Sequence, residues 1–275
     1  MTQREEIEAV WNTEREILDV VHRVCTENNL RYSLAYGTLL GAVRHGGFIP
    51  WDDDVDLIMP REDYEVLLKI WDKVAPTGYI LQNSRTDPDF TQNFTKIRKD
   101  HTTFLQYESE RYKGYHKGIF VDIFPGDRVA PGGLKRKLQY VACAVNLLYT
   151  RGFPSGAKGI IGVVERILLR TPQGNYVKWR ERAESLIRNW NGRIDCKYFF
   201  PNTIESAKRY YKPGLFQQQE EIMFCGKQYC CISESDAFLR TSYGNYMQLP
   251  PESERIWKHH PILIDFKHNY EELTE

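Results

Sequence analysis

The chain opens with apolar positions at helical spacing. Ile7, Val10, Trp11, Ile17, Leu18, Val21, Val24 and Cys25 fall on one stripe of an amphipathic helix. Thr2 and Glu5 have the spacing of a capping box, and Asn28-Asn29 should end the helix. Residues 31–35 alternate like a short strand. A short helix is expected over 38–44 after a turn at Gly37, and His45-Gly46-Gly47 breaks it. Residues 54–59 (DVDLIM) read as a strand closed by Pro60. Residues 61–74 read as a helix with Tyr64, Leu67, Leu68 and Trp71 on one face. Strand-like runs follow at 79–82, 94–98, 102–107 and 118–124, the last closed by Pro125-Gly126. Helices separated by Pro and Gly are predicted over 134–150, 159–169 and 175–190. A hairpin around Gly226 and a helix over 235–242 complete the order. Helix, mixed sheet, helical block and α/β tail make an α+β pattern, without internal repeats. The implied division is a core over 1–130, a helical segment over 131–215, and a C-terminal α/β region over 216–275 that packs on the core.

Charge sharpens that division. The 275 residues carry 37 Lys+Arg and 37 Asp+Glu, and a net charge of zero argues against a nucleic-acid partner. Residues 131–215, however, hold 16 Lys+Arg against 5 Asp+Glu, and no acid occurs between Arg128 and Val164. Two readings fit this basic segment: a helical lid packed on the sheet, or an element lying on an anionic membrane surface. Residues 1–15 lack the apolar run of a signal peptide. The longest apolar-leaning stretch, 138–150, is too short to cross a bilayer, which takes about 20 residues. The six cysteines show no framework spacing, and Cys196, Cys225, Cys230 and Cys231 lack the paired knuckles of a zinc site. The expected compartment is the cytoplasm, with peripheral contact at the inner face of the membrane.

The chemistry concentrates in Trp51-Asp52-Asp53-Asp54-Val55-Asp56-Leu57. Side chains two apart on a strand share a face, so Asp54 and Asp56 stand together, joined by Asp52 if the strand begins early. Parallel carboxylates repel and are tolerated when a divalent cation lies between them; Mg²⁺ (or Mn²⁺) suits such oxygen ligands. Upstream, Tyr36-Gly37-Thr38-Leu39-Leu40-Gly41 places a glycine and a hydroxyl at the start of a short helix. Backbone N–H groups there bind phosphate, although a simple strand–turn–helix corner reads the same way. Together the two motifs resemble the nucleotidyltransferase fold, in which a third carboxylate comes from a later strand. Asp122, embedded in Gly118-Ile-Phe-Val-Asp-Ile-Phe-Pro125, fits that place, because an acid in an apolar strand is costly to bury unless paired or metal-bound.

The resemblance then becomes specific. The run from Gly37 through Arg44-His45-Gly46-Gly47 to Trp51-Asp52-Asp53-Asp54-Val55-Asp56-Leu57 resembles the signature of the LicD family. So do Phe94-Thr-Lys-Ile-Arg-Lys, Val121-Asp-Ile-Phe-Pro and the tail Tyr243-Gly-Asn-Tyr-Met-Gln-Leu-Pro-Pro. The likeness covers most of 1–127 and 235–265 and is weakest in the basic segment. It implies a nucleotidyltransferase-like mixed sheet flanked by helices, with a basic helical insertion. It also implies transfer of a phospho-alcohol from a CDP-linked donor to a sugar hydroxyl of a glycan or lipid-linked oligosaccharide. Phosphocholine is the best-known cargo; fukutin-related proteins, which resemble the same group, use CDP-ribitol. Carried over by residue, Asp54 and Asp56 are metal ligands, Asp122 the third carboxylate and general base, and Asp52 a further participant. Gly37 and Thr38 would face the donor phosphates, and Lys96 and Arg98 would meet phosphate or nucleotide. Arg44, His45, Arg255 and His259 lie in or near matched motifs without an assigned role. Two other readings use the same residues: a nucleotidyltransferase moving an NMP from an NTP, and a non-catalytic nucleotide- or glycan-binding module.

Overall fold

The computed structural model describes residues 2–257 and 260–274. Helix α1 (Gln3–Glu27) begins with the expected Thr2–Glu5 capping box and ends at Asn28. It buries the stripe that its periodicity marks. Next come β1 (Ser33–Leu34), α2 (Tyr36–His45), β2 (Asp56–Pro60), α3 (Arg61–Val74), β3 (Tyr79–Gln82), β4 (Thr95–Lys99), β5 (Thr103–Leu105) and β6 (Phe120–Arg128). The middle of the chain forms α4 (Gly133–Arg151), α5 (Gly159–Leu168), α6 (Tyr176–Arg188) and β7 (Tyr198–Phe199). Strands β8 (Gln219–Phe224) and β9 (Lys227–Ile232), helix α7 (Ser235–Tyr243) and β10 (Leu263–Asp265) finish it.

The central sheet runs β1-β2-β6-β4-β3, with β7 added to the far end of β6. Only β2 and β6 pair in parallel; the other neighbours are antiparallel. The sheet is therefore mixed and flanked by helices, the α+β architecture read from the sequence. Two of the differences from the expected boundaries lie on the strands that carry the acids. Strand β2 begins at Asp56, two residues late, which leaves Asp54 in the approach to the strand. Strand β6 runs straight through Pro125-Gly126 to Arg128. Its pairing with β4 ends at Ile123 and β7 joins only at Asp127, so Pro125 falls where no partner on that side needs its missing N–H.

One continuous core joins α1, the sheet, β9 and α7. Tyr198, Phe200, Tyr211 and Leu215 pack into that core, although they lie within the basic segment. A smaller cluster of Ala142, Cys143, Ala183 and Ile187 holds α4 to α6. The two are clamped by buried charge. Arg61, at the start of α3, donates a bidentate pair to Asp127 of β6 at 3.0 and 2.6 Å, and reaches Glu184 of α6 at 3.1 Å. Arg85 joins Glu65 and Glu184, and Asn191 also donates to Asp127. Asp127 is fully buried, so the bridge is required by burial of the charge itself. Arg61→Ala should cost about 3–5 kcal/mol in urea unfolding, because it strands a buried carboxylate. A loss below about 1 kcal/mol would show that this clamp does not hold the helical block to the sheet.

Candidate active site

The sheet register sets the site. On the parallel pair, Asp56 of β2 lies directly opposite Asp122 of β6. On the antiparallel pair, Lys96 of β4 lies opposite Asp122. The Lys96 ammonium donates to both Asp122 oxygens at 2.7 and 3.0 Å. Its Nζ also sits 3.1 Å from the Phe120 ring centroid, a cation–π contact. Arg98, two residues on and likewise buried, donates to Gln82 Oε1 and the Gly118 carbonyl, both at 2.6 Å. Lys96 and Arg98 are thus cations held inside the fold, not solvated strand-face charges.

The approach to β2 is held rigidly. The Asp122 N–H donates to the Val55 carbonyl at 2.8 Å, extending the ladder past the end of β2. Thr38 is buried; its hydroxyl accepts from the Asp56 N–H at 2.7 Å and donates to the Asp54 carbonyl at 3.4 Å. The hydroxyl expected to meet phosphate therefore braces the strand that carries the acids. Helix α2 starts at Tyr36, one residue before Gly37, and Tyr36 has a φ of +43°. That strained corner turns the chain directly from β1 into the helix. A Cβ added at Gly37 would overlap Asp52 Oδ2, so the glycine makes room for this carboxylate. Trp11 of α1 donates to the Asp52 carbonyl at 2.7 Å.

Asp56 feels its surroundings strongly. Burial, together with the charges of Asp54, Asp122 and Asp52, pushes its carboxyl well above the usual range. Burial lowers Lys96 from its ordinary value, and the facing Asp122 opposes that shift. Sequence reading missed Glu14. It is 1% exposed in α1, and burial with Asp53, Asp54, Asp52 and Asp122 nearby pushes its carboxyl far up. The signal was present, since Glu14 interrupts the apolar stripe between Val10 and Ile17. Tyr243, at the end of α7, is half-exposed as a residue, yet desolvation of its hydroxyl and the charges of Asp56, Asp52 and Asp54 raise it, which puts the tail motif near the acids.

A cleft of about 570 Å³ opens at this point. Asp54, Asp122, Lys96 and Arg98 line its charged side, and Phe90, Phe94, Tyr115 and Phe120 are among the rings of its walls. Phe153, from the loop after α4, also reaches it. Tyr107 lines the same cleft, whereas Trp51 lies elsewhere. The Arg255 guanidinium lies 5.6 Å from the Trp51 ring, and His45 packs edge-on against it. Arg44 donates to His45 Nε2 at 2.9 Å and to the Tyr246 carbonyl at 2.9 Å. Arg44, His45 and Arg255 are thus gathered around Trp51. His259 lies outside the described residues. Among the described residues, no three carboxylates, imidazoles or thiolates come together so as to hold a metal ion by themselves. The donor set is carboxylate oxygen beside an open cleft, which fits a hard divalent cation whose shell is completed by water and phosphate.

A family model described as "LicD/FKTN/FKRP, nucleotidyltransferase domain" matches residues 29–134. Residues 29–134 thus resemble a LicD-type nucleotidyltransferase domain. The match spans α2, β2, β4 and β6, and so all the acids and cations of the cleft floor. Lipopolysaccharide cholinephosphotransferase LicD of Haemophilus influenzae is 28% identical over 250 residues, covering 87% of this chain and 90% of that protein. The chain is therefore similar along most of its length to a cholinephosphotransferase. The human ribitol 5-phosphate transferase FKRP is 51% identical over 49 residues, 18% of this chain and 10% of that protein. An uncharacterised protein of Rickettsia prowazekii is 40% identical over 70 residues, 26% of each chain. Similarity to the cholinephosphotransferase thus extends well beyond the LicD-type domain, into the basic segment and the tail.

The Lys96–Asp122 pair yields a stability test. Lys96→Met and Asp122→Asn, measured singly and together by urea unfolding, should be non-additive. The double variant should be about 0.5–3 kcal/mol more stable than the sum of the two losses, because each single change strands the other charge. Additive losses would mean that the lysine does not compensate the carboxylate.

Proposed function

We propose that this chain transfers a phospho-alcohol, with phosphocholine the first candidate, from a CDP-activated donor to a sugar hydroxyl of a cell-surface glycan or its lipid-linked precursor. One observation carries the reading. Asp122 lines an aromatic cleft with Asp54 and Lys96, and Asp56 stands in register with it on the neighbouring strand, in a chain similar along most of its length to a lipopolysaccharide cholinephosphotransferase. The FKRP match supports the broader class of phospho-alcohol transfer.

Asp54 and Asp56 would hold Mg²⁺ or Mn²⁺ with Asp122 beside them, and the bound ion would neutralise the diphosphate and steady the leaving CMP. Lys96 and Arg98 supply fixed positive charge along the cleft wall, where phosphate oxygens gather charge during transfer. The acceptor oxygen forms a bond to the phosphorus of the transferred group while the bond to the bridging oxygen breaks and CMP departs. Asp122 would receive the hydroxyl proton, with Lys96 bonded to it. The aromatic walls suit the apolar and cationic portions of a donor; for choline, rings around a quaternary ammonium are the favoured partner. Glu110, which also lines the cleft and accepts from Tyr115 at 3.3 Å, adds a negative group to that wall.

The crowding of acids separates function from folding. Asp54→Asn and Asp56→Asn should each lower turnover by at least about 10²–10³-fold. The melting temperature should stay level or rise, since each change relieves like-charge repulsion. Near-native turnover in a folded variant would remove that residue from the site. Donor identity follows from a thermal-shift panel of CDP-choline, CDP-ribitol, CDP-glycerol and CTP, each with and without Mg²⁺. One CDP-alcohol should raise the melting temperature only with Mg²⁺, and Asp54→Asn should lose the shift. Stabilisation by CTP alone would favour NMP transfer instead.

A further inference from the structure

Helix α5 is amphipathic the wrong way round for a soluble protein. Its only buried residue is Gly162. Ile160 and Ile161 are 83% and 65% exposed, and Val163, Val164 and Ile167 are also exposed. The inward side is polar: Glu165 accepts from the Ser155 N–H and hydroxyl, both at 2.8 Å, and from Arg151 at 3.4 Å. The remaining contacts pin the helix by its ends, with Tyr149 donating to the Leu168 carbonyl at 3.1 Å. A helix that turns its isoleucines and valines outward, and its carboxylate inward, has its apolar partner outside the chain.

The surrounding charge says what that partner is. Lys158, Arg166 and Arg170 are exposed at or near the ends of α5, and the segment from Arg128 to Val164 contains no acid. The one acid of the helix is engaged inward. A second copy laid on this face would bring cation against cation, whereas lipid phosphate would meet those cations and acyl chains would take the apolar stripe. We propose that α5 lies in the interfacial plane of an anionic membrane, with Ile160, Ile161, Val164 and Ile167 among the outer acyl segments and the flanking Lys and Arg at the headgroup phosphates. Among the described residues no helix is long and apolar enough to cross a membrane, so the contact is peripheral.

The position of α5 gives the contact a use. Phe153, half-exposed in the loop between α4 and α5, also lines the cleft that holds Asp54, Lys96 and Asp122. Docking α5 therefore brings the cleft mouth close to the headgroup layer, where a lipid-borne acceptor presents its sugar hydroxyls. That consequence rests on the glycan-acceptor reading; the docking itself does not.

The full chain, without donor or acceptor, is to be co-sedimented with phosphatidylcholine vesicles with and without phosphatidylglycerol, at low and high salt. Wild type should pellet with the anionic vesicles at low salt and much less with pure phosphatidylcholine. Ile161→Glu/Val164→Glu, which alters exposed side chains only, should keep the wild-type melting temperature and cut vesicle binding at least about tenfold. Lys158→Glu/Arg166→Glu should weaken binding chiefly at low salt. Wild type left in the supernatant with anionic vesicles would overturn the proposal, as would a double glutamate variant that pellets equally well. Sedimentation velocity supplies the remaining arm: a dimer that the glutamate variant dissolves would reassign the face to self-association. Each outcome is read without turnover, so a wrong donor assignment leaves the result intact.

Discussion

Carboxylates set side by side repel, and this fold places several at the head of two parallel strands. Asp56 and Asp122 face each other across β2 and β6, with Asp54 and Asp52 on the approach and Glu14 buried in the helix packed nearby. Such a set is stable only with positive charge close at hand. Lys96 supplies part of it from the neighbouring strand, bonded to both Asp122 oxygens. The rest of the local structure serves to keep the acids where they are. Thr38 ties the backbone on either side of Val55, and Gly37 leaves room for the Asp52 carboxylate.

Strand β6 extends the same logic along its length. Asp122 near one end meets Lys96, and Asp127 near the other meets Arg61, both pairs in the interior. The first pair lines a cleft, where a substrate can exchange for protein contacts. The second is closed off by α3 and α6, where it can only hold elements together. One strand therefore carries the chemistry at one end and the attachment of the helical block at the other. Through Phe153, that block in turn reaches back to the cleft.

Much of this was legible in the residues. The capping box at Thr2, the helix 61–74, the hairpin at Gly226 and the strand 79–82 follow from local patterns, and local patterns decided them. Asp54, Asp56, Asp122, Lys96 and Arg98 were also legible as a group, and the sheet register brings most of them to one cleft. What was not legible depends on partners distant in sequence. Pro125 fails to end β6 because β4 and β7 leave a gap there. Thr38 faces the backbone of residues 54–56 because α2 begins two residues early, at a strained Tyr36. Lys96 and Arg98 read equally well as solvated charges until the register sets Lys96 opposite the buried Asp122 and the Arg98 guanidinium reaches the buried Gln82. The outward face of α5 could not be read from its periodicity, which gives the stripe but not the side that packs.

The account turns on the claim that these carboxylates are a cation site. Titration of Mn²⁺ into the protein, with free ion followed by its electron paramagnetic resonance signal, tests it directly. In the presence of CDP-choline, wild type should deplete the free signal in a saturable way, and Asp56→Asn should lose that saturable binding while remaining folded. Equal Mn²⁺ uptake by the wild type and the variant would contradict the assignment and leave the acid cluster without its proposed purpose.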